Sequence, residues 1–158
     1  MAPDADPAGT AGATAAAPGP YRSKTLATWI AVIGGPLGLH RFYLRGFGDP
    51  WGWLFPLPSL LGIYGIRRVF EFGQDDRLSW ALMPMLGLTI SIAMLSAVIH
   101  GLTPDETWRQ RHNPGRAAIP PSGWGAVIGV ILALMLGAGV LMATIAFSAQ
   151  RFFEVQAV

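Results

Sequence analysis

The chain has 158 residues, of which 52% are apolar and only 13% charged, against about 25% charged in an ordinary soluble domain. It lacks the polar surface that a water-facing fold needs, and it reads as a membrane protein. The net charge of +2 and pI near 9.5 come from ten arginines and one lysine without the interleaved aromatics of a nucleic-acid face, so nucleic acid is not an expected partner. With no cysteine, disulfides, thiolate nucleophiles and cysteine-held metals are excluded.

Residues 1–20 are mostly Ala, Pro, Gly and Thr, a composition that cannot bury enough apolar surface to offset its ordering entropy. A disordered tail is expected there. It lacks the basic start and apolar core of a signal peptide. The first apolar stretch, Thr25 to about Leu39, is short for a bilayer crossing and is flanked by Arg22 and Lys24 before it and by His40 and Arg41 after it. The second opens at Asp49-Pro50, with Asp49 as expected N-cap and Pro50 at the first helical position, and closes at Arg67-Arg68. Pro56 and Pro58 predict a kink or unwinding near its start.

The third stretch, Leu78 to His100, carries no formal charge before its terminal histidine, and the fourth, Trp124 to about Ser148, carries none. About 20 residues cross ~30 Å of hydrocarbon. Between them, Thr103-Pro104-Asp105-Glu106 reads as an N-cap, a first-position proline and first-turn acids. It predicts a short interfacial helix within the 101–122 connector, stopped by Asn113-Pro114-Gly115. Trp51, Trp53, Arg67, Arg68, Trp108, Trp124 and Arg151 are the expected interface anchors. The expected fold is all-α: four transmembrane helices as two hairpins, one over 21–72 and one over 73–158. With four crossings the termini share a side, and lysines and arginines divide six to five, which leaves orientation open.

One segment carries a more specific pattern. Ser23-Lys24 is followed by Gly34-Gly35, and then by Gly38-Leu39-His40-Arg41-Phe42-Tyr43-Leu44 ahead of a glycine-bearing turn and a second apolar run. Over residues 21–72 this resembles the TM-two domain family, paired transmembrane helices joined by a turn reading Gly-x-His-Arg-Phe-Tyr-Leu-Gly. Arg45 stands where the family has its last glycine, and Arg67-Arg68 replaces the usual closing acid. The resemblance implies a bacterial inner-membrane protein and no particular reaction. Read from the residues, Gly34, Gly35 and Gly38 form a side-chain-free strip for the second helix to approach. Arg41, Tyr43 and Arg45 are candidates to grip an anionic lipid head group or an acidic partner segment.

In the fourth stretch Gly125, Gly129, Ala133 and Gly137 recur every four residues, a small-residue ridge that packs either on the third stretch or on another copy of the chain. Catalytic arrangements are missing from the sequence. No Gly-x-Ser-x-Gly occurs, no two of His40, His100 and His112 share ligand spacing, and Asp75-Asp76 reads as a solvated loop. Neither cofactor nor metal is expected. The reading is a non-enzymatic protein of the bacterial inner membrane, an accessory subunit or organiser, with the lipid bilayer, anionic lipid and a protein partner or homo-oligomer as its contacts. The alternative is an oligomeric channel or small-solute permease lined by Thr89, Ser91, Ser96 and Thr144.

Overall fold

A computed structural model describes residues 19–157, so the expected disordered tail lies outside the described residues but for Gly19 and Pro20. Among the described residues the structure is helical without strands: α1 Lys24–Gly34, a 3-10 turn Gly35–Leu37, α2 Leu39–Arg45, α3 Pro50–Trp53, α4 Pro56–Phe72, α5 Arg77–Leu102, α6 Asp105–His112 and α7 Trp124–Gln156.

α5 is the hub, packed by α4, α1 and α7. It can be approached closely because its neighbours offer glycine. A Cβ at Gly62 would stand 2.6 Å from the backbone nitrogen of Leu86, and one at Gly65 3.0 Å from that of Met83. Gly87 on α5 receives Thr144 of α7, and Gly101 receives Val130. Around Ala31, Ala93, Met94, Ala97 and Ala133 the three helices α1, α5 and α7 share one small-residue core. Backbones this close gain dispersion contacts that larger side chains would prevent, which is how helices associate where no water drives them together.

The ridge on α7 is therefore occupied within the chain, on α1 as well as α5. The Trp29 Nε1–H donates to the Gly125 carbonyl at 3.0 Å, Gly129 faces Thr28, and Gly137 faces Met94. The glycine strip of the first stretch is shared differently from the expectation. Gly35 meets Ala93 of α5, Gly34 meets Leu39, and only Gly38 admits the second stretch, at Gly52 and Phe55.

The first stretch is not a single helix. After eleven residues the chain passes through the 3-10 turn and Gly38, whose φ of 73° lies in the left-handed region, and α2 returns toward its starting level. The Ser23 N–H donates to the Tyr43 hydroxyl at 2.9 Å, and Leu44 packs on Ala27. At 1.5 Å per residue α1 reaches only ~16 Å, half of a bilayer's hydrocarbon. The expected crossing from Thr25 to Leu39 is thus replaced by a helical hairpin. The second stretch breaks at Leu54–Phe55 ahead of Pro56, as its prolines require.

Among the described residues two helices, α5 and α7, are long and apolar enough to cross a membrane, against the four crossings expected. Only 28% and 17% of their most apolar windows are buried within the chain, whereas the core helix of a soluble bundle would be covered. Leu88, Ile92, Leu95 and Ile99 on α5, with Ile131, Met135, Met142 and Ile145 on α7, are exposed, an apolar surface that points to membrane association.

The glycine contacts yield a direct comparison. Gly62→Ala should destabilise the fold by about 1–3 kcal/mol through overpacking. Gly139→Ala, with nothing within 4 Å, should be neutral or stabilise by up to ~1 kcal/mol through helix propensity. Thermal midpoints of the two variants in detergent measure the difference.

Candidate functional site

The hairpin brings four helix ends to one face, the starts of α1 and α7 and the ends of α2 and α5, together with the whole of α6. Lys24 is the joint. Its ammonium donates to the Thr103 carbonyl at 2.9 Å and pairs with Asp105 at 2.6 Å. Asp105 also accepts from the backbone and hydroxyl of Ser122 at 3.0 and 2.5 Å. These bonds, the Lys24 bond first, hold the Asp105 carboxyl at about 2, below its ordinary 3.8. One carboxylate thereby ties α1, α6 and the connector into α7.

Arg22 supplies the second clasp, through its backbone. Its N–H donates to the Asn113 side-chain oxygen at 2.8 Å, and its carbonyl accepts from Asn113 Nδ2 at 3.0 Å and from Trp108 Nε1 at 2.9 Å. Trp108 is 1% exposed and packs with Leu44 and Ala27. It is a buried plug and not the interface anchor expected; an indole goes inside where its N–H finds an acceptor. α6 is capped by Pro104, so the first-position proline falls one residue early and Thr103 is left to close α5. Asn113 ends the helix as expected.

The turn motif is largely absorbed by architecture. A Cβ at Gly38 would collide with the Gly52 carbonyl oxygen. His40 meets Phe55 edge-on, with ring centroids 5.4 Å apart, and Phe42 stacks on Phe47 at 5.4 Å. Arg41 donates through Nε to Asp49 at 2.8 Å, which holds the Asp49 carboxyl below its ordinary range. Asp49 stands at the N-cap of α3 with Pro50 following, as expected, while its carboxylate goes to Arg41 and makes no side-chain cap bond. With Tyr43 bound to Ser23, Arg45 is the one of the three candidate grips without a polar side-chain partner among the described residues.

Arg45 joins two other arginines. Arg22, Arg45 and Arg111 line one cavity of about 520 Å³ together with His112. Among the described residues none of the three is paired with a carboxylate. Partial burial and the positive charges of Arg22, Arg111 and Arg45 depress the His112 imidazole below its ordinary value. A second cavity of about 250 Å³ shares Leu44, Arg45, Arg111 and His112 with the first and continues to His40 and His100. The His40 and His100 rings are 5.9 Å apart, and their Nδ1 and Nε2 atoms, respectively, have no hydrogen-bond partner among the described residues. Along the chain the three histidines are unrelated; the hairpin and α6 bring them together. No group of three or more metal-ligating side chains occurs among the described residues.

Trp51 and Trp53 on α3 and Trp124 at the start of α7 are exposed, and at the opposite end Arg67 is exposed on α4. Arg68 is instead bound by Asp76 through two bonds of 2.9 Å, and Arg151 pairs with Glu154 and lies over Trp80, 4.7 Å from the ring centre. Comparisons of the chain with models of protein families, with curated proteins and with solved structures find no match.

Two consequences are measurable. Trp108→Ala should cost about 3–5 kcal/mol, the usual loss for emptying a buried aromatic site, read as a fall in thermal midpoint in detergent. Because the folded pKa of Asp105 is depressed, its contribution is complete above about 3.8 and is lost as pH falls toward about 2. Asp105→Asn removes the charge at neutral pH and should speed tryptic cleavage after Arg116, with Asp75→Asn unchanged.

Proposed function

We propose that the chain is a small multi-pass protein of the bacterial inner membrane that catalyses no reaction and acts as an accessory subunit or organiser through its basic face. The observation that carries this is the convergence of three arginines, without a carboxylate partner among the described residues, at the end of two largely uncovered apolar helices. Arginines in that position meet lipid phosphates, where anionic head groups or an acidic partner supply the missing charge. In this reading α5 and α7 cross the bilayer, α3 and α4 cross together as one broken helix, and α1 and α2 form a re-entrant hairpin. Irregular backbone at depth is tolerated there because protein surrounds it.

Three crossings put the termini on opposite sides. The basic residues then regroup: Arg22, Lys24, Arg41, Arg45, Arg109, Arg111 and Arg116 on the N-terminal face, against Arg67, Arg68, Arg77 and Arg151 on the other. Seven against four favours a cytoplasmic N-terminal face under the positive-inside rule. The turn motif of α2 supports relating residues 21–72 to the TM-two family, with the motif serving the hairpin more than a binding event.

The channel alternative draws little support. The hydroxyls of Thr89, Ser91, Ser96 and Thr144 each donate to the carbonyl four residues back in their own helix, which spends the polarity a pore lining would need.

The chain lacks cysteine, so single substitutions report topology directly. In intact spheroplasts Asp75→Cys should react with an impermeant maleimide while Gly115→Cys should react only after permeabilisation, and both should stay in the membrane pellet after alkaline carbonate. Release by carbonate, or labelling of both sites from the same side, would overturn the reading.

A further inference from the structure

The two cavities at the N-terminal face meet along Leu44, Arg45, Arg111 and His112, so they form one recess with a basic mouth and an imidazole floor. We propose that this recess is a binding site for a phosphate monoester group carrying two negative charges, borne by a lipid head group or by a free ion; this deepens the membrane reading above and rests on it.

Charge selects the ligand class. Arg22, Arg45 and Arg111 bring three guanidinium groups to the mouth with no carboxylate pairing them among the described residues. Among the described residues the acids of this face are already engaged, Asp49 by Arg41, Asp105 by Lys24 and Glu106 by Arg109. A metal cation is repelled by such a field, whereas an oxyanion is attracted. A guanidinium fork binds two oxygens of a phosphate at once. A diester offers two free oxygens and one charge to three forks; a monoester offers three free oxygens and up to two charges.

The floor points the same way. His40 is 2% exposed, and its Nδ1 and the Nε2 of His100 have no partner among the described residues. Leaving a buried polar atom unmet costs about 1–3 kcal/mol. A ring nitrogen can turn an N–H toward an oxyanion, and neutral imidazoles do so without adding charge to a recess that already holds three arginines. The recess opens at the level of Arg45 and the end of α6, where a head group would enter sideways from the bilayer surface and leave its acyl chains in lipid.

The test uses the full chain in detergent, titrated with dioctanoyl phosphatidic acid, dioctanoyl phosphatidylglycerol or inorganic phosphate and read by native mass spectrometry and intrinsic tryptophan fluorescence, since Trp108 borders the recess. Phosphatidic acid should bind at least about tenfold more tightly than phosphatidylglycerol. Arg45→Gln with Arg111→Gln should abolish that preference, while Arg67→Gln with Arg77→Gln on the opposite face should keep it. Inorganic phosphate competing at equal concentration would support the site with a free ion as its source; failure to compete, with phosphatidic acid bound, would support a lipid source. Equal binding of the two lipids, or a preference that survives loss of Arg45 and Arg111 in a variant of unchanged thermal midpoint, would overturn the proposal. Carbonate extraction and maleimide labelling remain independent of these outcomes, so a protein that spans the membrane but ignores phosphate monoesters separates the two readings.

Discussion

Where the chain passes Gly38 at a φ of 73°, the Gly52 carbonyl stands so close that no side chain fits. A left-handed residue at the end of a 3-10 turn reverses the direction of the backbone, and only glycine adopts it beside another backbone without steric cost. That reversal sends α2 back beside α1. It places Tyr43 against the start of α1 and Leu44 against Ala27 and Trp108, and it lifts Arg45 to the level of Arg22 and Arg111. Remove the reversal and the arginines lie at opposite ends of a helix; with it, they share a cavity.

The packing below this face follows a different rule. Helices that keep their apolar surface exposed have little to gain from burying more of it, so contacts must come from closeness of approach. α5 meets α4 at Gly62 and Gly65, and α7 approaches α5 at Gly87 and Gly101 and α1 at Gly129. The bulky residues, Leu88, Ile92, Met135 and Met142 among them, are turned outward. Small residues inside and large ones outside invert the arrangement of a water-soluble bundle, and the inversion explains why the most apolar helices are also the least covered.

Polar side chains are concentrated at the two ends, where they hold loops to helices. Asp105 joins Lys24 to Ser122, Asn113 holds the backbone of Arg22, Arg41 takes Asp49, and at the far end Arg68 takes Asp76. Most charges are consumed in these ties. The arginines left over at the N-terminal face are therefore informative, because among the described residues six basic side chains are paired with carboxylates while Arg22, Arg45 and Arg111, without such a pair, line one recess.

From composition and periodicity alone came the helical class, the two uncharged stretches that became α5 and α7, the break before Pro56, the short helix stopped by Asn113 and the small-residue ridge on α7. These follow from local chemistry: side-chain transfer energies, the missing N–H of proline and the spacing of residues along one helix face act over a few residues and can be read in order. The tertiary structure alone decided that residues 25–45 fold back, that Trp108 lies inside, that the Asp49 carboxylate at the start of α3 is taken by Arg41, and that His40, His100 and His112 meet. Each of these depends on groups separated by up to ninety or so residues along the chain. A linear pattern of polarity marks a stretch as apolar without saying whether it crosses or turns back, because a single glycine conformation, set by what packs against it, makes the difference.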